Sequence, residues 1–556
     1  MRLKRSILAP VGVLGIAIAT GGWFLQQRVD PEQNVFFQQR LFQEVVDRIS
    51  NDYVEEVEKG SLYQSAIEGL IQELGDPNSS FLLRAEYENL RIRTQGAYGG
   101  VGLEITERDD YVTVVAPITG GPGARAGIRP GDQFVEIAGQ PAEGWDSDQA
   151  VELLRGRPDT QVDVKVRRVG VDQPISFTLT REEIHLKSVP FALELRDGIA
   201  YVPLRVVSET SSDELRGALD SLRSAGALRG VVLDLRGNPG GLLEQGIAVS
   251  DMFLADGATI VETRGRGTRQ SKTFGASRDD HYQGVPLAVL VDETSASASE
   301  IIAGALQDHD RAAVVGMPSF GKGSVQTLFR MSGGNVLRLT TARWYTPMGR
   351  SIDKPHDEDE EALRESAART LEGGLTWVPD LADRPVVRSR GGRTLRGGGG
   401  IVPDLVVMPD TLTEPEKEAV LALYAQAGVF QARLFDFAVR YVQEQPSLTP
   451  DFVVTDQDLD RLYAMSGEEF QERVRPDTYR VASRYVRHEM ERVIALQKWG
   501  EAAEFQRRVP YDRQLAAALD LLDRANSPEA LLRLVGEVRE EAPIPPERGV
   551  QRIDSR

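Results

Sequence analysis

The chain has no cysteine in 556 residues. That excludes disulfides, thiolate catalysis, cysteine-ligated zinc and iron–sulfur clusters together. Histidine is nearly as scarce. The five that occur (His185, His281, His309, His356 and His488) have no metal-ligand spacing, so no metal or other cofactor is expected. Basic residues are in deficit, 65 Lys and Arg against 84 Asp and Glu, for a formal net charge of −19. Phosphate binding needs the opposite balance, so nucleic acid is not the expected partner. Hydrophobic residues make up 41% and charged residues 27%. Those values exclude a disordered chain and a polytopic membrane protein. The length is too great for one core and implies about two to four domains.

One long uncharged run does occur. Ile7 to Leu25 is almost wholly apolar and follows the basic end Met1-Arg2-Leu3-Lys4-Arg5. Residues 1–27 therefore read as a signal anchor or a signal peptide, with membrane contact through residues 6–25. Ala17-Ile18-Ala19 fits a cleavage pattern, but the apolar run continues past it, which favours the anchor. The charge flank then places everything after Gln26 outside the cytoplasm.

Residues 33–90 carry apolar positions at helical spacing, such as Phe42, Val45, Val46, Ile49 and Tyr53. Residues 96–182 alternate short apolar runs with Gly/Pro/Asp turns, the pattern of a small β domain. From Gly198 strands alternate with helices, which predicts α/β organisation over 183–408, interrupted by a polar insertion at 353–399 that includes the acidic run Asp357–Glu361. Residues 409–556 are expected to form a helical C-terminal extension.

Three turns carry reactive residue types. In Gly230 to Gly241 a buried strand enters a glycine-rich turn, which suits either an anion or a tight connection. In Thr294 to Glu300, Ser297 and Glu300 have capping-box spacing, so Ser297 is a helix cap, a nucleophile, or both. Gly316 to Lys322 satisfies a phosphate-binding loop until Gly323 replaces the metal-binding hydroxyl, and strands rather than a helix are expected after it. Lys322 there is either an exposed loop lysine or a desolvated amine able to act as a base. His309 lies at the end of the helix that Ser297 starts and is expected to serve that helix rather than a catalytic triad.

Together these segments resemble the C-terminal processing peptidases, also called tail-specific proteases. The resemblance rests on Ser297 in Ser-Ala-Ser-Ala-Ser-Glu, Lys322 in Phe-Gly-Lys-Gly, Gln326 closing Gly-Ser-Val-Gln, and Asp-Leu-Arg-Gly-Asn-Pro-Gly-Gly at 234–241. Arg343 to Ile352, Gly400 to Asp404, Ala66 to Leu70 and Gly75 to Ser79 are similar to further family elements. Residues 96–182 resemble a PDZ domain, with Gly100, Val101, Gly102 and Leu103 at the carboxylate-binding loop. Arg155 resembles a family arginine linking that domain to the active site.

The resemblance implies a multidomain α/β serine endopeptidase in the cell envelope. In order along the chain come an N-terminal membrane anchor, a helical region, a PDZ β-domain, an α/β Ser/Lys protease core and a C-terminal helical extension. Its PDZ domain would capture C-termini of extended or unfolded polypeptides by strand addition. Ser297 would be nucleophile, Lys322 base and Gln326 the residue orienting Lys322. Ala298 with Gly240 or Gly241 would form the oxyanion hole. The C-terminal helices would serve a homo-oligomer or an adaptor. The alternative is a catalytically inactive PDZ-bearing scaffold.

Overall fold

A computed structural model describes residues 35–541 apart from 109, 169–170, 227, 355–366, 380, 382–383 and 426–427. The expected anchor and the acidic run 357–361 lie outside the described residues. Among the described residues no helix is long and apolar enough to cross a membrane. The chain divides into two units, one ending at Arg84 with residues 326–340 added, the other holding the remainder.

In the first unit, α1 (Val35–Asp52) and α2 (Lys59–Gln72) follow the predicted apolar spacing. Phe42 and Tyr63 approach ring to ring at 5.9 Å, and Lys59 pairs with Asp47 at 2.9 Å. The short strand β1 (Ser80–Leu82) is antiparallel to residues 336–338.

In the second unit, β2 (Ala97–Gly100) opens the small β domain and pairs with β8 (Glu182–His185). Between them an antiparallel sheet has the order β3 (Leu103–Arg108), β4 (Tyr111–Pro117), β5 (Gln133–Ile137), β6 (Gln161–Arg167), β7 (Ile175–Thr180). In β6 burial alternates residue by residue, with Val162, Val164 and Val166 inside, because side chains of a strand alternate between faces. The helix α3 (Ser147–Leu154) buries Ala150 and Leu154 against this core, with Asp146 and Gln149 forming a capping box.

The larger core is a sheet ordered β9 (Leu193–Arg196), β10 (Ile199–Pro203), β11 (Gly230–Asp234), β12 (Leu287–Val291), β13 (Ala313–Gly316), β14 (Leu405–Val406). All pairs after the first are parallel. Strands β10 to β13 are buried on both faces, which explains their unbroken apolar runs. Val231, Leu233, Val289 and Val291 face α4 (Ser211–Ala225), α5 (Leu243–Asp251) and α6 (Ala298–Asp308). Tyr201, Val232, Ala288, Leu290 and Val315 face the other way. They meet Leu515, Leu519 and Leu522 of α10 (Arg513–Arg524) and Leu531 and Val535 of α11 (Pro528–Glu541). This corrects the expected boundary at 409. Residues 513–541 are the second cover of the sheet, because a doubly buried parallel sheet needs helices on both sides. The helices between 414 and 508, among them α7 (Val429–Glu444), α8 (Ser483–Trp499) and α9 (Glu501–Arg508), build mostly on a separate aromatic-rich cluster.

Candidate active site

The three turns singled out in the sequence leave the carboxyl ends of adjacent parallel strands β11, β12 and β13. Open α/β sheets place their ligand crevices there. The turns are laced to one another. Gly237 N–H donates to Asp292, Ala296 N–H to Asn238 O at 3.0 Å, Ser295 Oγ to Leu235 O at 2.9 Å, and Phe320 N–H to Ser295 O at 3.0 Å.

Ser297 sits at the N-cap of α6 with φ 54° and ψ −114°. A non-glycine residue at positive φ carries strain, on the order of 1–3 kcal/mol, and such strain concentrates at functional sites. The side chain is half-buried, while its neighbours Ala296 and Ala298 are buried. Glu300 accepts the Ser297 N–H at 2.7 Å, so the capping-box spacing is realised.

The same carboxylate has a second task. Glu300 is 0% exposed and also accepts Lys322 N–H (2.9 Å), Gly321 N–H (2.7 Å) and Ser319 Oγ–H (2.6 Å). Ser297 N and Lys322 N share the oxygen Oε2, so they lie within about 5.6 Å of each other, the sum of the two bonds. One buried carboxylate thus clasps the two turns bearing the candidate nucleophile and base. Burial pushes the Glu300 carboxyl up to about 7, against the pull of its four donors. The Lys322 turn is fixed from its other side by Trp344 Nε1–H to Lys322 O (3.0 Å) and Gly323 N–H to Asp353 Oδ1 (2.9 Å).

The glycine turn lies against the serine. At Gly240, with φ +86°, a Cβ would stand 2.4 Å from Ala296 O, 2.8 Å from Ala298 N and 2.9 Å from Ser297 Cβ. Only glycine fits. One expectation is corrected here. Gly240 N–H is turned inward to Asn238 Oδ1 at 2.8 Å and does not face the serine side of the turn. Among the described residues, the N–H groups of Ala298 and Gly241 have no hydrogen-bond partner.

Gln326 stands on the strand Ser324–Arg330, where its Nε2 donates to Thr340 Oγ1 at 3.3 Å. His309 caps the far end of α6, its Nε2 2.6 Å from Thr259 O. An eleven-residue helix separates it from Ser297, about 16 Å. No helix opens after Lys322, so the phosphate-loop resemblance ends there.

Peptidase family S41 matches residues 198–361, a PDZ domain residues 113–168, and the activating protease CtpB N-terminal domain residues 25–85. A carboxy-terminal-processing protease of Bartonella bacilliformis is 40% identical over 324 residues, covering 58% of this chain and 74% of that one. The chain belongs to the carboxy-terminal processing proteases of peptidase family S41. It is a serine-type peptidase. The carboxy-terminal processing protease CtpA of Bacillus subtilis is 35% identical over 309 residues, 55% of this chain and 65% of that one. The solved photosystem II D1 C-terminal processing protease is 30% identical, covering 57% of this chain and 90% of that one, with a TM-score of 0.32.

In the PDZ domain the four loop residues adjoin the open edge strand β3. The Val101 and Gly102 carbonyls accept Gly123 N–H and Ile118 N–H, both at 2.9 Å, and Gly102 has φ +65°. Gly100 closes β2, and Leu103 begins β3. The first residue of α3, Ser147, donates its N–H to Glu107 Oε1 of β3 at 2.7 Å. Arg155 follows α3. Its guanidinium lies 5.2 Å from the Tyr98 ring centroid and donates to Asn89 Oδ1 at 3.0 Å.

Sequence reasoning missed four contributors. Glu300 was legible only as a cap, and Ser319 and Asn238 only as turn residues. Arg236, beside the glycine turn, forks to Asp234 and Asp512, both at 2.7 Å. Its charge inside a buried strand-to-turn junction was the available signal.

Proposed function

We propose that the protein is an envelope endopeptidase that recognises the C-terminal tails of extended or unfolded polypeptides and cleaves them with Ser297 and Lys322. The tail adds as a strand to β3, and its terminal carboxylate meets the loop Gly100–Leu103. Ser297 Oγ attacks the scissile carbonyl carbon while the neutral Lys322 amine takes the hydroxyl proton. The Ala298 and Gly241 amides receive the developing oxyanion. Lys322 returns the proton to the leaving amine, and water then releases the acyl group from Ser297. Arg155, between Tyr98 and Asn89, relays tail binding toward the protease core. The apolar run after the basic N-terminus anchors the chain with its catalytic part outside the cytoplasm.

The observation that carries this reading is the Glu300 carboxylate shared by the Ser297 and Lys322 amides. The test incubates the whole protein, Ser297→Ala and Lys322→Ala with unfolded substrates that differ only in their last residues. Cleavage by the parent alone, graded by tail sequence, is expected. Unchanged cleavage by either variant refutes the dyad, and indifference to the tail refutes the PDZ role.

A further inference from the structure

Asn238 is completely buried in the middle of the glycine turn, and both ends of its amide are spent. Nδ2 donates to Leu204 O at 2.7 Å, and Oδ1 accepts Gly240 N–H at 2.8 Å. Its own carbonyl accepts Ala296 N–H at 3.0 Å and Ser299 Oγ–H at 3.1 Å, one residue to either side of Ser297-Ala298. Asn238 is therefore bonded to the turn that carries Gly240 and Gly241 and to the turn that carries the serine.

The side-chain contact decides how the glycine turn is oriented. A turn N–H held by a buried acceptor is spent and is not offered to a ligand, so the acceptor decides which of two neighbouring amides stays available. With Gly240 N–H held by Oδ1, a Cβ on Gly240 would collide with Ser297 Cβ and Ala298 N. Val207 then brackets Gly241, donating its N–H to Gly240 O at 3.0 Å and accepting Leu242 N–H at 2.8 Å. Among the described residues, the N–H groups of Gly241 and Ala298 are the two left without a partner in these turns' contacts with Asn238 and Val207.

We infer that Asn238 is a positioning residue for the proteolytic step: its Oδ1 turns Gly240 inward and so sets Gly241 and Ala298 as the pair of amides that receive the oxyanion. This rests on the serine mechanism proposed above.

Two variants separate this role from a structural one. Asn238→Asp keeps the acceptor for Gly240 but places a carboxylate oxygen against Leu204 O. Asn238→Ala removes the acceptor and adds no charge. If Asn238 acts through Gly240, the Asp variant is the less stable of the two yet the more active. Its kcat should stay within about tenfold of the parent, while the Ala variant loses about 100-fold or more, the cost typical of a lost oxyanion donor. Affinity for a peptidyl trifluoromethyl ketone, whose adduct with serine carries an oxyanion, should fall in parallel with kcat. Tail-peptide affinity, measured in a Ser297→Ala background, should stay within twofold throughout. The inference is overturned if activity follows thermal stability across the variants, or if kcat and ketone affinity of soluble, folded Asn238→Ala stay within threefold of the parent. A parent enzyme that the ketone does not inhibit, with Ser297→Ala still active, instead removes the serine mechanism itself and is recognisable without either Asn238 variant.

Discussion

Replacing Glu300 by Gln tests the clasp directly. The parent carboxylate accepts four donors, two on each oxygen. An amide presents one acceptor and one NH2. The least costly placement keeps the oxygen towards Ser297 and Lys322 and aims the NH2 at Ser319 Oγ and Gly321 N. Ser319 can turn to accept, but Gly321 N–H is then opposed by another donor. One buried N–H left unpaired costs about 1–3 kcal/mol. Expressed wholly in the transition state that is roughly a tenfold to hundredfold loss of kcat.

The stability consequence has the opposite sign at high pH. Glu300 titrates near 7 when folded and near 4.5 when unfolded, so the folded state holds the extra proton between those values. Stability contributed by the protonated form is complete below 4.5 and is lost as pH rises through 7, by about 3 kcal/mol at pH 8. Gln cannot ionise, so the variant should lack this decline. The assay is chemical denaturation at pH 5.5, 7 and 8.5, alongside kcat/KM over the same range. The parent should lose stability as pH rises while the variant holds level. The part of the activity change near pH 7 that follows Glu300 ionisation should vanish. A variant with the parent's stability slope and kcat within twofold would refute the clasp.

Further outcomes follow from other contacts. Gly240→Ala should abolish cleavage in a soluble protein, because the new Cβ meets Ala296 O at 2.4 Å; residual activity above a few per cent, read by product release, contradicts the packing. Asp512→Ala strips a buried partner from Arg236 and the N-cap acceptor from Leu515, so denaturation should show a loss of about 3–5 kcal/mol. Leu522→Ala should cost about 2–5 kcal/mol, since its side chain is 0% exposed between α10 and the sheet. His488 is 1% exposed, neither ring nitrogen has a partner, and burial lowers its pKa to about 4. Its folded value lies below its unfolded value of about 6.5, so stability falls as pH drops from 6.5 towards 4, by about 2.5 kcal/mol at pH 4.5. His488→Leu should flatten that part of the acid limb in thermal melts.

Much of the protease architecture was legible because a doubly buried parallel strand leaves an unbroken apolar run, as in Val231–Leu235 and Leu287–Val291. The glycine turns announced themselves because Gly240 and Gly102 occupy backbone conformations that other residues resist. What stayed hidden was non-local. Nothing near Glu300 in the sequence says that Gly321 and Lys322 will share its carboxylate, and a capping box explains the spacing locally. Gly240 and Gly241 are indistinguishable as donors until Asn238 is seen to hold one of them. The helical character expected of 409–556 carried no address, so the docking of the two helices 513–524 and 528–541 on the sheet came only from the fold.

That docking also bears on synthesis. The strands carrying the three reactive turns are all translated by residue 316, yet one face of the sheet stays bare until 513–541 have left the ribosome. At about 5–20 residues per second, the delay is tens of seconds. During that interval the nascent chain holds all three turns but an unfinished sheet beneath them. A sheet assembled in this order has its three reactive turns in sequence long before the helices that complete its packing arrive.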